Sequence, residues 1–323
     1  MPSSSTNSSR GAHRFAVITA GTTLLLLMAG ALVTSNDAAD SVPDWPLAYH
    51  KLIPPLVGGI RFEYAHRVLA ALVSILTLIL ALWIQRTDRR PLARKLGWTA
   101  LGLVIAQALL GGFRVLEGYP AVSATAHATL AQIFFMTLVG LALYLSDWWQ
   151  RDLPQLNDTG EPQVRQLATW TTLAILVQLI LGAAFRHGAF GTGPHALDPH
   201  LFGAGIVLVM VIFTGKVAKS RFRSVREIRT SLALLHSFLG FQILLGLAAW
   251  WAVLQAVDAV QPSPTYVTLT VAHVLGGALT LAASVLLTLT CVRLIRPAAE
   301  GSTAASAPSV GSVAHSSGEA GAR

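Results

Sequence analysis

The chain has 323 residues, of which 53% are hydrophobic and 12% charged, with a formal net charge of +8. Soluble domains carry about 25% charged residues, so this composition excludes an ordinary soluble domain and indicates a membrane protein. The single cysteine, Cys291, excludes an intramolecular disulfide, a cysteine-ligated zinc and an iron–sulfur cluster, and no aromatic interleaving of the basic residues points to nucleic acid.

In chain order, a polar tail over 1–13 leads into a first apolar segment near 14–34. That segment reads as a retained helix, because no small-residue cleavage site followed by a soluble domain is found after it. Seven further segments lie near 64–84, 97–116, 124–145, 167–185, 199–217, 231–251 and 268–290. Each has about 20 residues, enough to cross a ~30 Å hydrocarbon core as a helix. The expected fold is an all-α integral membrane protein with an N-terminal half over 14–145, a linker over 146–166 and a C-terminal half over 167–292. The tails over 1–13 and 293–323 carry too little apolar surface to fold and are expected to be disordered.

Eighteen of the 23 Lys and Arg residues lie in the tails and in the loops after even-numbered segments; Lys51, Arg61, Arg67, Arg114 and Arg186 lie at the other face. The excess of positive charge on one side predicts both termini in the cytoplasm, in the cell (inner) membrane. Every even segment then starts at the outer face, and the +8 charge is mostly this topology signal.

The segments repeat. Three odd ones carry Gln-x-x-x-Gly, as Gln107–Gly111, Gln178–Gly182 and Gln242–Gly246, and the first keeps Gly30 with Leu26 in place of the glutamine. The glycines read as small residues that let helices approach closely. Near the start of each even segment stands one histidine: His66, His127, His200 and His273. The offset from His66 to His200 is 134 and from Gln107 to Gln242 is 135, so segments 1–4 duplicate as 5–8. An even number of spans per half keeps the two halves in one orientation, as two tandem four-helix bundles about an axis along the membrane normal.

Histidine in a membrane span rarely lacks a partner or a task. One alone is more often a proton-relay or hydrogen-bonding group than a ligand, but four at matched positions favour ligation. Paired imidazoles on two helices suit a bis-histidine heme, and an apolar bundle supplies its walls. Zinc or copper would ask for more donors than either pair has nearby. Arg61, Arg67, Arg114 and Arg186, at the same ends, are candidates to bind heme propionates bidentately; simple snorkelling is the plainer reading of each. His236 stands apart, near the opposite face. In Glu63-Tyr64-Ala65-His66-Arg67, Glu63 shares a helix face with His66, where a carboxylate could move protons or stabilise a cation. The plainer reading is an i,i+4 pair with Arg67. The second half has no such motif.

Pro43-Asp44-Trp45-Pro46, Leu52-Ile53-Pro54-Pro55, Glu63-Tyr-Ala-His66-Arg67 and Gln107-Ala-Leu-Leu-Gly-Gly-Phe-Arg114 resemble the heme A synthase family. The resemblance spans roughly 14–292 and implies oxidation of the C8 methyl of heme O to the formyl of heme A for cytochrome oxidase assembly. It implies that His66 and His127 embrace heme O as substrate, that Glu63 is catalytic, and that His200 and His273 ligate a resident heme b. It also implies a heme O supplier (heme O synthase) and an electron-transfer partner; membrane lipid surrounds the chain, and a homo-oligomer is left open. The chain is a cysteine-poor variant, with Val42 where a cysteine often precedes Pro-Asp-Trp-Pro. Leu201 stands where Arg usually follows the histidine, and Val274 where Gln commonly does. A non-enzymatic diheme b electron carrier and a heme-trafficking protein are the alternatives.

Overall fold

The computed structural model describes residues 4–296, apart from 40, 117, 119, 192, 194, 257 and 258. The described residues form nine helices: α1 (Ser4–Ser35), α2 (Ile60–Thr87), α3 (Pro91–Leu116), α4 (Ala121–Leu145), the single turn α5 (Asp147–Gln150), α6 (Val164–Arg186), α7 (Asp198–Phe222), α8 (Arg226–Gln255) and α9 (Pro264–Leu294). Eight of them are long and apolar enough to cross a membrane, so the chain is a multi-pass membrane protein. Each apolar segment lies within one long helix, and polar turns extend the helices beyond it. α8 and α9 run to 30 and 31 residues.

The helix ends follow from local chemistry. Asp88 ends α2, and its carboxylate accepts from the backbone N–H and guanidinium of Arg90, so Pro91 opens α3 after a short connection. Ser146 and Ser263 cap α5 and α9 by accepting from the N–H groups of Trp149 and Tyr266.

Two expectations for the ends are corrected. Residues 4–13 are helical rather than disordered, because the start of α1 is tied down: the His13 ring bonds the Ala142 carbonyl at 2.8 Å, and Arg10 pairs with Asp147 at 2.9 Å. The second tail begins later than residue 293. Leu156 and Ile295 form a β-bridge, and Arg293 donates to the carbonyls of Trp149 and Arg151. Tail residues 1–3 and 297–323 lie outside the described residues. The segment 146–166 is an ordered connection, in which Asp158 accepts from Arg221 and from the Val164 amide.

α1 packs on α2 and α4, and α3 on the same two; α6 packs on α7 and α9, and α8 on the same two. α9 also meets α1 and α4. It is the central helix, with 61% of its apolar window buried against 39% or less for the others. In lipid the apolar surface gives little drive for helix association, so close packing and interhelical hydrogen bonds carry it. Three buried hydroxyl contacts, Thr171–Thr214, Thr172–Ser284 and Ser35–Thr270, span 2.7–2.9 Å between helices. Such bonds contribute about 0.6 kcal/mol each.

Candidate heme-binding site

The four histidines sit within the first three turns of α2, α4, α7 and α9, at the end of the molecule that carries the loops after α1, α3, α6 and α8. Each ring presents its Cε1 edge to a glycine of the preceding long helix. A methyl group placed on Gly30, Gly111, Gly182 or Gly246 would lie 3.2, 3.1, 2.9 or 3.1 Å from Cε1 of His66, His127, His200 or His273, respectively. In all four, Nδ1 lies nearer that methyl position than Nε2, and Nε2 of His200 also lies 3.5 Å from the Gln178 amide of α6. The small residues do permit a close approach, but what approaches is the imidazole.

The glutamines one turn earlier add a tether. Gln107, Gln178 and Gln242 each donate their amide N–H to the backbone carbonyl of the facing histidine, at 3.0, 2.8 and 3.0 Å. In the second pair the amide nitrogen also reaches the ring, 3.0 Å from Nδ1 of His200 and 3.1 Å from Nδ1 of His273. Room for this comes from Gly203 and Gly276, three residues after each histidine, where any side chain would strike the amide oxygen. Leu69 and Leu130 hold those places after His66 and His127. Nδ1 of both His66 and His127 is buried with no hydrogen-bond partner, and Leu26 stands where a first glutamine would be.

The second pair has the geometry of a two-imidazole ligand set. The His200 and His273 rings have centres 6.2 Å apart and planes at 83°. Two imidazoles opposed across one iron, with bonds of about 2.0 Å, place their centres about 6 Å apart. The spacing of the two rings therefore suits a shared heme iron. Among the described residues, no cluster of three His, Cys, Asp or Glu side chains forms an alternative metal site. His236 also packs against a glycine, Gly215, but in the opposite sense: Nε2 faces the glycine and Nδ1 bonds the Leu232 carbonyl of its own helix at 2.7 Å. Cys291 is buried.

Glu63 and Arg67 clamp the loop between α1 and α2. The carboxylate, 5% exposed as a residue, bonds Arg67 at 2.7 Å and accepts from the Val42 amide at 3.0 Å. Arg67 donates in turn to the carbonyls of Asp44 and Leu47, both at 2.7 Å. The amides of His50 and Tyr49 bond the Asp44 carboxylate, and they hold it below the usual carboxylate range. Tyr64 donates to the Leu52 carbonyl, and the Trp45 indole lies against Gly112 of α3. The Pro-Asp-Trp-Pro, Glu-Tyr-Ala-His-Arg and Gln107–Arg114 motifs thus interlock over the first histidine pair.

The four arginines separate. Arg61 is exposed and stacked over Phe62, and Arg67 is committed to the loop. Arg186 reaches from the end of α6 to Ser35 of α1 at 2.6 Å, and Ser35 bonds Thr270, one turn before His273. Between Arg114 and Arg186 lies His187, a residue that the sequence motifs miss. Its partial burial and the charges of both arginines push its pKa down to about 4. It sits in a loop outside the repeated motifs, so no pattern marks it.

A family described as COX15-CtaA, cytochrome oxidase assembly protein, matches residues 59–192. The chain is 29% identical over 180 residues to a heme A synthase of Lysinibacillus sphaericus (strain C3-41), covering 54% of this chain and 57% of that protein. It is 31% identical over 134 residues to a heme A synthase of Shouchella clausii (strain KSM-K16), covering 40% and 44%. It is 24% identical over 246 residues to one of Listeria monocytogenes serovar 1/2a (strain ATCC BAA-679 / EGD-e), covering 69% and 80%. In the first two comparisons the chain spans about half the length of the relatives it matches.

Proposed function

We propose that this chain, which through residues 59–192 belongs to the COX15-CtaA family of cytochrome oxidase assembly proteins, is a heme A synthase that oxidises the C8 methyl of heme O to the formyl of heme A. In this reading the two halves are tandem four-helix bundles with different tasks. The observation that carries it is the contrast between the pairs. His200 and His273 are held at ring and backbone by Gln178 and Gln242, a fixed seat that suits a resident heme b once each amide has turned over. His66 and His127 are seated on glycine with no glutamine amide on the ring, His66 facing the Leu26 backbone instead, a looser seat that suits a site that takes up and releases a substrate heme.

When bound, heme b supplies one-electron transfer. The chain's own residues do the rest. Glu63, one turn before His66, is a buried carboxylate fixed by Arg67 and the Val42 amide. It supplies a preorganised negative charge at the edge of the substrate site, which favours electron-poor states of the methyl under attack. The clamped loop, with Trp45 against Gly112, covers that site from water. Arg186, with Arg114 and His187 close by, would hold the carboxylates of a bound heme; Arg61 and Arg67 are the weaker candidates. A ring that ligates through Nε2 carries its proton on Nδ1. The buried, unpartnered Oε1 atoms of Gln178 and Gln242 can accept that proton if each amide turns over and releases the histidine carbonyl. The basic residues support both termini inside and the histidine level outside, in the cell membrane. A heme O supplier and an electron-transfer partner complete the scheme.

Extraction of hemes from membranes that also make heme O, followed by mass analysis, tests this. A formyl heme that depends on this chain supports the synthase. Heme b alone, beside a competent heme O supply, would make the chain an electron carrier.

A further inference from the structure

At the end of the molecule opposite the histidines, α7 and α8 touch only sparsely and leave a wedge-shaped pocket of about 450 Å³ between them. Its floor is apolar, made by Ala218, Phe222 and Leu232, all buried. Its rim carries Lys219, Arg223 and Arg229. All three are exposed, and none forms an ion pair or hydrogen bond with an acid among the described residues; Glu227, in the same turn, pairs with none of them. Three other arginines at this end, Arg10, Arg90 and Arg221, are each paired with an aspartate.

The pocket does not stand alone. From Arg223 an exposed stripe climbs α7 at helical spacing through Ser220 and Lys216 to Phe213, Ile212 and Val209. The cations stand at the end of the span and the apolar side chains within it. Fourteen rises of ~1.5 Å from Val209 to Arg223 make the stripe about 20 Å long, enough for one membrane leaflet of ~15 Å plus its headgroup layer. We propose that this wedge is a binding site for one anionic phospholipid, with its phosphate held by Lys219, Arg223 and Arg229 and one acyl chain lying along Val209–Phe213. Three convergent cations over an apolar floor match an anionic headgroup on an acyl chain, and a zwitterionic headgroup would bring its own cation into an already positive rim. The lipid site is independent of the heme chemistry.

Native mass spectrometry of the purified full chain, equilibrated with phosphatidylglycerol and phosphatidylcholine of identical acyl chains, tests it. The wild type should retain phosphatidylglycerol on the order of tenfold or more over phosphatidylcholine, and the variant Lys219→Gln, Arg223→Gln, Arg229→Gln should bring the ratio near parity. A variant of equal charge loss elsewhere at the same face (Arg86→Gln, Arg89→Gln, Lys95→Gln) should keep the preference. Parity in the wild type overturns the site, and so does an equal loss in the control variant, which would assign the effect to the general positive surface. If glycerol phosphate without acyl chains is retained as well as the lipid, the lipid assignment falls. Should the triple variant fail to accumulate, Arg229→Gln alone must still lower the ratio several-fold.

Discussion

Replacing Gly182 by alanine puts the heme reading under a direct mechanical test. The added methyl would lie 2.9 Å from Cε1 and 3.1 Å from Nδ1 of His200. Comfortable carbon contacts are about 3.5–4.0 Å, so the ring must retreat by about 0.6 Å or more. Metal–ligand distances tolerate only about 0.2 Å, so a displacement of this size cannot be absorbed in the bond. Overpacking of this kind costs about 1–3 kcal/mol, which lowers heme retention by roughly fivefold to more than a hundredfold. The assay is the heme-to-protein ratio and low-spin absorbance of purified protein. Gly205→Ala on α7 and Gly240→Ala on α8 are the controls, because a methyl there meets nothing within 4 Å. Gly246→Ala, at 3.1 Å from His273, should weaken retention less than Gly182→Ala. If Gly182→Ala keeps wild-type heme and spectrum, His200 is not an axial ligand in the pose described.

His200→Ala or His273→Ala should remove most low-spin heme b, whereas His236→Ala should not; intact absorbance in both of the first two would end the cofactor assignment. Glu63→Gln keeps an acceptor for the Val42 amide but leaves the partly buried Arg67 without its counter-charge. It should retain heme b while heme O or a hydroxylated intermediate accumulates, and wild-type yields of heme A would reduce Glu63 to a loop anchor. His187 is held near 4 against an ordinary value of 6.5, so below pH 6.5 the unfolded chain binds a proton that the folded chain refuses. Thermal stability should therefore fall as pH drops from 6.5 towards 4, and His187→Asn should make that decline shallower; an unchanged slope would show that His187 does not contribute. On a Cys291→Ser background, Ile53→Cys should react with an impermeant thiol reagent in intact cells and Arg89→Cys should not; the reverse would invert the orientation.

The eight spans are legible in the sequence because an apolar run long enough to cross a bilayer rarely forms anything but a membrane helix. The four histidines are legible because the repeat sets them at equal places. The helix ends are less so. Residues 4–13 are polar and look unstructured, yet His13 and Arg10 find partners on α4 and α5 that no local pattern reveals. The Glu63–Arg67 pair follows from its i,i+4 spacing, but its hold on Val42, Asp44 and Leu47 runs through backbone groups, which carry no side-chain signature. The glycines are visible and their task is not, since an absent side chain does not say what fills its space. Gly203 and Gly276 share that fault: only the folded chain shows that each makes way for a glutamine amide.

Leu26 has a kinetic consequence. Of the four histidines, His66 alone faces a helix with no glutamine at the matching place, so neither its ring nor its carbonyl receives an amide from α1. A group held between His66 and His127 would be gripped unevenly, with the His127 carbonyl tied by Gln107 and the His66 ring facing only the backbone of Leu26. Release from the first pair would depend on how firmly α1 seats His66. Leu26→Gln should then slow exchange at the first pair and leave the second as it was. Turnover in this bundle would be limited by a side chain that lacks hydrogen-bonding atoms altogether.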